Sequence, residues 1–596
     1  AAPGGLVTFA RMPADDAIER WLDLHGVGPG RWLALAAGNG CAGLAVDGAE
    51  LGLGRNWDDV VASIERERSP RWVWWDRSEP TALVERRIDV DRCWDVTAVH
   101  GLLAGGWRTS PADIWAHANE LAVGSMPALG QLDLFTAHAD EGDPHDPVRP
   151  DGYLRPDWAA GAWADMPERC ARWATLALRV AGGQSSTVDG AEQQRARSTA
   201  HAESMAEVLS VELGRTGLPI DVAVAEQLIR DAVGPRPVDD DHAIALARRR
   251  DDVVLGRIGT AATGIDLRNP ADVRAMLRRV GVDLPDTRAW RLERHRDAHP
   301  VVAALLDWRK AERIATTYGY RWLDEHVHQG RLRGKWSSSD GAAGRMTATA
   351  GLHNLPGDLR PAIAAEPGHR FVRADLGQIE PRVLAAVSGD RALVAATAGD
   401  DLYQPVADRL GVTREIAKVA VLGAMYGATT GESAHALRGL ERAYPVAMRF
   451  LADVADAGVR GDDVATVGGR RIRMWFDDSL DGDLERARRV AAARGRFARN
   501  AVIQGAAAEL FKVWALVVRR RVRPLAGEIV LCLHDELLVH VPADRASATA
   551  DAVADALAEA AHRWSPDGAT RFLADVAVSD RWKPPAGGDR TARPSR

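Results

Sequence analysis

The chain has 596 residues, 46% of them apolar and 27% charged, enough for about three to four domains of roughly 150 residues; global disorder is excluded. Its net charge of −7 neither supports nor excludes a nucleic-acid partner, because such binding depends on a local basic patch. Cys41, Cys93, Cys170 and Cys532 show no C-x-x-C spacing, and no apolar run reaches about 18 residues, so no zinc site, disulfide framework or membrane span is expected. The first residues lack a basic stretch followed by an apolar one, and a cytoplasmic protein is expected.

Twelve of the 20 tryptophans precede residue 180, which sets residues 1–190 apart as a separate N-terminal unit. It ends in "GGQSSTVDGAEQQ" (182–194), whose Gly/Ser content reads as a connector. From 199 the pattern is helical up to Gly217, and 299–327 reads as one further long helix. A basic Gly/Ser-rich segment follows at 330–345, and strands, turns and long helices then alternate to about 580. The Pro/Gly/Arg-rich tail, 583–596, is expected to be disordered.

Two aspartates interrupt apolar runs in this second half. "RFVRA" (370–374) reads as a short strand that turns into a helix, with Asp375 at the junction. "LCLHDELLVHVP" (531–542) reads as a hairpin with His534, Asp535 and Glu536 between its apolar arms. Taken singly, Asp375 with Gln378 fits a capping box and Asp535 fits a tight turn. Taken together, each is an Asp at a strand end with a Glu close by, Glu380 and Glu536. Two strands of one sheet can bring them together, and such a pair can hold two magnesium ions roughly 3.5–4 Å apart for in-line displacement at phosphorus. Between them, "TREIAKVAVLGAMYGATTG" (413–431) has helical periodicity. At about 100° per residue, Arg414, Lys418 and Leu422 fall within about 80° of one another, Met425 lies inside that arc and Tyr426 at its edge. Two cations one turn apart suit a triphosphate and the apolar platform suits a base or sugar; alone, the pattern reads first as an amphipathic helix with solvated charges, and the candidate metal aspartates beside it favour the nucleotide reading.

"ADLGQIEPR", "REIAKVAVLGAMYG" and "HDE", in this order and separation, resemble the three polymerase motifs of family A DNA polymerases. "GRMTATAGLHNLP" (344–356) and "RFARNAVIQGAAAELFK" (496–512) are similar to the family's supporting segments, and the resemblance covers about residues 200–580. It implies an α/β and α+β multidomain fold: a right-hand polymerase with thumb (199–330), palm (331–382 and 496–582) and fingers (383–495), after a ribonuclease-H-like 3′–5′ exonuclease-type domain (1–190). It implies DNA-directed DNA synthesis in replication or repair, with primer–template DNA and deoxynucleoside triphosphates as partners. Two Mg2+ ions, which Mn2+ can replace, would be the cofactor, and the enzyme would be a monomer. By the same resemblance, Asp375, Asp535 and the Leu376 carbonyl are metal ligands, with Glu536 auxiliary beside them. Arg414 and Lys418 would hold the triphosphate, Lys418 also protonating the departing pyrophosphate. Glu380 would be a steric gate against ribose, and Gln378, Tyr403, Leu422 and Tyr426 would complete the nucleotide site. Arg345, Asn354, Arg496, Asn500, Gln504 and His534 would contact DNA, largely without regard to sequence.

The chain departs from the family pattern at Leu422, where an aromatic residue is usual, and at Tyr403, which stands where a His often helps hold the triphosphate. In the N-terminal unit the first 100 residues hold no D-x-E; the nearest pattern, "IDVD" (88–91), reads as a strand end with solvated charge. Ala171 stands where the late exonuclease Asp is expected, so an exonuclease fold without its chemistry is expected. The competing readings are a single-subunit RNA polymerase, against which Glu380 and the H-D-E Glu argue, and a nuclease whose palm only binds DNA.

Overall fold

The computed structural model describes residues 14–106, 108–127, 143–191, 195–259, 264–427, 433–475, 484–565 and 568–582. Near the N-terminus, strands β1 (Trp32–Ala37), β2 (Ala42–Val46), β3 (Ala49–Leu53), β4 (Arg71–Trp74) and β5 (Cys93–Asp95) form one sheet in the order β3-β2-β1-β4-β5. β1–β2 and β2–β3 pair antiparallel, β1–β4 and β4–β5 parallel. Both faces are covered: Ala34 and Ala36 of β1 feed one apolar core, Leu33 and Leu35 another. That double burial is why "WLALAA" reads as a continuous apolar run.

Helix α1 (Pro167–Asp189) lies directly on this sheet. A Cβ added to Gly43 would stand 2.0 Å from the Ala171 nitrogen, and one on Gly52 2.8 Å from Pro167 Cβ, so glycine there permits the close approach. The connector expected at 182–194 is largely helix instead, since α1 continues to Asp189. Gln184 anchors it: it accepts from Trp94 Nε1 at 2.9 Å and donates to the Val96 carbonyl at 2.8 Å. These bonds offset the poor helix propensity of the Gly/Ser run.

Helix α2 (Ala196–Thr216) ends, as its pattern predicts, at Gly217, whose φ is +70°. The single helix expected over 299–327 is two, α3 (Pro300–Thr317) and α4 (Tyr320–His326). Tyr318 and Tyr320 are both drawn into the core, their hydroxyls donating to the Gly351 and Gly234 carbonyls at 3.1 and 3.0 Å. Burying both demands a turn at Gly319.

The second sheet carries the candidate site. Strand β6 (His369–Leu376) is followed by α5 (Ile379–Ser388), α6 (Tyr403–Leu410) and α7 (Arg414–Tyr426). Helix α8 (Leu484–Val522) then leads into strands β7 (Glu528–Leu533) and β8 (Glu536–Pro542), helix α9 (Ala546–Trp564) and strand β9 (Ala574–Ser579). The order is β7-β8-β6-β9, antiparallel throughout. All four strands fall within 331–382 and 496–582, so chain segments more than 100 residues apart share one sheet. The division expected at 495/496 falls inside α8, which runs unbroken for 39 residues. Among the described residues α8 is the one helix long and apolar enough to cross a membrane, and its apolar stretch is buried inside the protein. The tail 583–596 lies outside the described residues.

Candidate active site

Strand register brings the two aspartates together. β6 pairs with β8 so that Asp375 stands opposite Glu536, and Leu533 pairs with Glu536 across the β7–β8 hairpin. His534 and Asp535 are therefore the two turn residues, with His534 in the left-handed region at φ +56°. The Leu376 N–H donates to the Asp535 carbonyl at 2.8 Å, which fastens this turn onto the end of β6. The charges that interrupt the apolar arms thus lie at the sheet's end, not in its core. Asp375 keeps 26% of its side chain exposed.

Below them lies a buried cation. Arg373, two residues before Asp375 on the same face of β6, donates from Nη2 to Asp375 Oδ2 at 2.9 Å. Its Nε donates to Glu536 Oε1, which also accepts from Trp582 Nε1 at 2.8 Å. Glu536 is 2% exposed. Glu536 is thus the buried counter-ion of Arg373, whose guanidinium bridges it to Asp375, its partner across the strands.

A pocket opens beside the hairpin turn, lined by Arg345, Leu376, Glu380, Gln504, His534 and Asp535, with Ile379, Ala507, Ala508 and Phe511 as its apolar wall. The sequence reading singled out the six polar or backbone-bearing residues and missed the wall, whose members look like ordinary core positions. Glu380 is 5% exposed and holds two neighbours, accepting from Arg345 Nη2 at 3.0 Å and from the Tyr426 hydroxyl at 2.7 Å. It thereby joins the 345–348 strand, α5 and α7.

The face of α7 differs in one respect from the periodic arc. Arg414, Lys418 and Leu422 are half-buried along one edge, but Met425 is 1% exposed and packs in the core with Ala417, Ala420, Val421 and Ala424. The apolar platform is Leu422 without Met425. Residues 428–431 of the expected helix lie outside the described residues; α7 is capped at Gly427, φ +72°, over which Arg496 packs.

Arg414 is held by a residue that the sequence reading missed. Its Nε and Nη2 lie 2.6 and 3.3 Å from the two oxygens of Asp401. Gln378 Nε2 donates to the same carboxylate at 2.8 Å, while its own Oε1 accepts from the Leu402 N–H at 2.8 Å. Burial acts to raise the Asp401 carboxyl, but the hydrogen bonds from Arg414 and Gln378 outweigh it and hold the group below the usual carboxylate range. Gln378 itself has φ +53° and makes no side-chain cap, so the capping-box alternative for Asp375 is overturned. Tyr403 is 4% exposed, and burial, then the Glu380 carboxylate, push its phenol up; it is packed under Arg414, whose guanidinium carbon is 5.7 Å from its ring. Of the expected DNA contacts, Arg496, Asn354 and His534 are exposed, Gln504 half-buried and Asn500 buried.

In the N-terminal unit Asp89 and Asp91 lie in the loop before β5 and pair with Arg523 at 3.1 and 3.3 Å. Ala171 is sealed under Gly43. Central strand β1, with the sequence WLALAA, carries no carboxylate.

Comparison with known proteins identifies the family. The sequence profile of DNA polymerase family A matches residues 278–583, slightly over half of the chain, and the chain belongs to that family. It is 32% identical over 378 residues to DNA polymerase I of Chloroflexus aurantiacus, covering 58% of this chain and 38% of that protein. It is 31% identical over 289 residues to the thermostable DNA polymerase I of Thermus aquaticus, covering 44% of this chain and 34% of the relative. The chain thus spans little more than a third of the length of these curated relatives. Its fold resembles the POL domain of Pol1 from M. smegmatis, solved in complex with DNA primer-template and dNTP: TM-score 0.67 at 20% identity, covering 96% of this chain and 99% of that one.

Proposed function

We propose that this chain is a template-directed DNA polymerase that adds deoxynucleotides to a primer 3′ end. The observation that carries the reading is the Leu376–Asp535 backbone bond, which sets Asp375 and Asp535 at one sheet end in a member of DNA polymerase family A. Two carboxylates at that end offer the oxygen donors that magnesium prefers, so the residues fit a divalent-metal site. Bound metal would activate the attacking oxygen and stabilise the leaving one. Arg414 and Lys418 bind the triphosphate; Asp401, itself held by Gln378, fixes the Arg414 guanidinium by one edge and leaves its remaining donors for phosphate. Lys418 gives its proton to the departing pyrophosphate. Glu380, fixed by Arg345 and Tyr426, blocks a ribose 2′-hydroxyl. In this reading 199–330 is the thumb, 331–382 with 496–582 the palm, 383–495 the fingers, and 1–190 an exonuclease-type unit without carboxylates for nuclease metals.

Primer extension with magnesium tests this. Extension with deoxynucleotides and little with ribonucleotides is expected, with no shortening of the 3′ end in nucleotide-free controls. Ribonucleotide extension at comparable rates would favour the RNA polymerase alternative. Digestion that survives Asp375→Ala but is lost on changing Asp89 and Asp91 would overturn the reading of the N-terminal unit.

Leu422 supports a sharper expectation. It lies one turn beyond Lys418 and, unlike Met425, is not buried in the core. Facing the incoming sugar, it offers no hydroxyl to replace the contact a missing 3′-hydroxyl would make, so the enzyme should reject dideoxynucleotides. Leu422→Tyr should relax that discrimination by about one to three orders of magnitude, or about 1.4–4 kcal/mol. The ratio of incorporation efficiencies for a deoxynucleotide and its dideoxy analogue reads this; an unchanged ratio would mean that Leu422 does not face the sugar.

A further inference from the structure

The opposite end of the same sheet gathers metal-ligating side chains that the polymerase reading does not use. His369 opens β6, His540 lies on β8, and Glu366 stands in the segment leading into β6. His369 pairs with Pro542 and Phe371 with His540, so the two imidazoles are diagonal neighbours on one face. One ligand atom from each of Glu366, His369 and His540 lies within 4.8 Å of the others.

The surroundings set the tautomers of both rings and orient the carboxylate. His369 Nδ1 is 3.3 Å from the Pro367 carbonyl, which only accepts, so the proton sits on Nδ1 and the lone pair on Nε2. Arg331 Nε donates to Glu366 Oε1 at 2.8 Å and leaves Oε2. The Glu366 N–H donates to His540 Nε2 at 3.3 Å, so that nitrogen carries the ring's lone pair, which an ion would take in place of this bond. A carbonyl on the far nitrogen of a histidine and a partner on the second oxygen of a carboxylate are the contacts that orient metal ligands.

We propose that Glu366, His369 and His540 bind a divalent transition-metal ion of the zinc, cobalt and nickel class. Two imidazoles and one carboxylate suit such an ion, whereas magnesium takes oxygen ligands. Six residue steps along β6 take His369 to Asp375, about 20 Å along a strand, so this site is distinct from the candidate active site. The rings now lie face to face, centroids 4.5 Å apart and planes 10° from parallel. An ion shared by both requires one ring to turn out of the stack, and His369 is the half-exposed one, while His540 is 3% exposed. Glu528, opposite His540 on β7 and 3.6 Å from Arg331, adds a second carboxylate beside the site.

Titration of the chain, free of any polyhistidine tag, with cobalt(II) tests the site. A visible absorption band is expected that zinc abolishes by displacement. His369→Ala and Glu366→Gln should each weaken cobalt binding by at least about tenfold, while Asp375→Ala leaves the band unchanged. No band from the wild-type chain overturns the proposal. So does a band that persists in His369→Ala and disappears in Asp375→Ala, because the cobalt would then sit at the active-site carboxylates.

Discussion

Asp375→Ala or Asp535→Ala should lower primer extension by at least about three orders of magnitude, or about 4 kcal/mol of transition-state stabilisation, while primer–template binding changes little. Both carboxylates stand at one sheet end, and each serves charge that develops during transfer rather than the bound substrate. Neither replacement should disturb the sheet, because the bond that fixes the turn runs from the Leu376 N–H to the Asp535 carbonyl and survives truncation of the side chain. Single-turnover extension and equilibrium DNA binding, measured on the same preparations, separate the two effects. A variant that extends within about tenfold of wild type would limit the residue to about 1.4 kcal/mol and remove it from the metal site.

The second large effect concerns stability. Arg373 and Glu536 are each 3% exposed at the side chain, and Arg373 also holds Asp375. Arg373→Met would leave the Glu536 carboxylate buried with the Trp582 indole N–H as a donor but no cation, a loss of about 3–5 kcal/mol for a broken buried pair. Combining it with Glu536→Leu should recover most of that loss, since apolar replacement of both partners removes the uncompensated charge. Denaturant unfolding of both variants reads the difference. A single variant within about 1 kcal/mol of wild type would show that water reaches Glu536. If the double variant folds well and still extends primers, neither Glu536 nor the Arg373 bond to Asp375 is needed to position that carboxylate.

Much of the candidate site was legible because its signals are local. Asp375 and Asp535 each end an apolar strand pattern, and a carboxylate that breaks such a run marks an end of the sheet or a site. Helical spacing placed Arg414, Lys418 and Leu422 along one edge, and α7 keeps that edge. Gly217 marked a helix end through a backbone conformation that a neighbouring side chain cannot alter.

Other features depended on partners remote in the chain. Periodicity states which residues share an arc, not which arc meets the core; Met425 lies between Arg414 and Lys418 in angle, yet packing against the rest of the protein buries it. Gln378 read as half of a capping box, but its amide is drawn to Asp401, 23 residues away. That Glu536 is neutralised by Arg373, 163 residues before it, is a side-chain contact with no local signal in the sequence. The Gly/Ser run after 182 read as a connector because Trp94, which holds Gln184, is 90 residues upstream. By itself the sequence determined the strand ends, the helix edge and the pair of aspartates, since backbone geometry and side-chain period act over a few residues. Only the tertiary structure decided which charges are neutralised and which apolar residues are covered, because desolvation and ion pairing depend on segments that folding brings together.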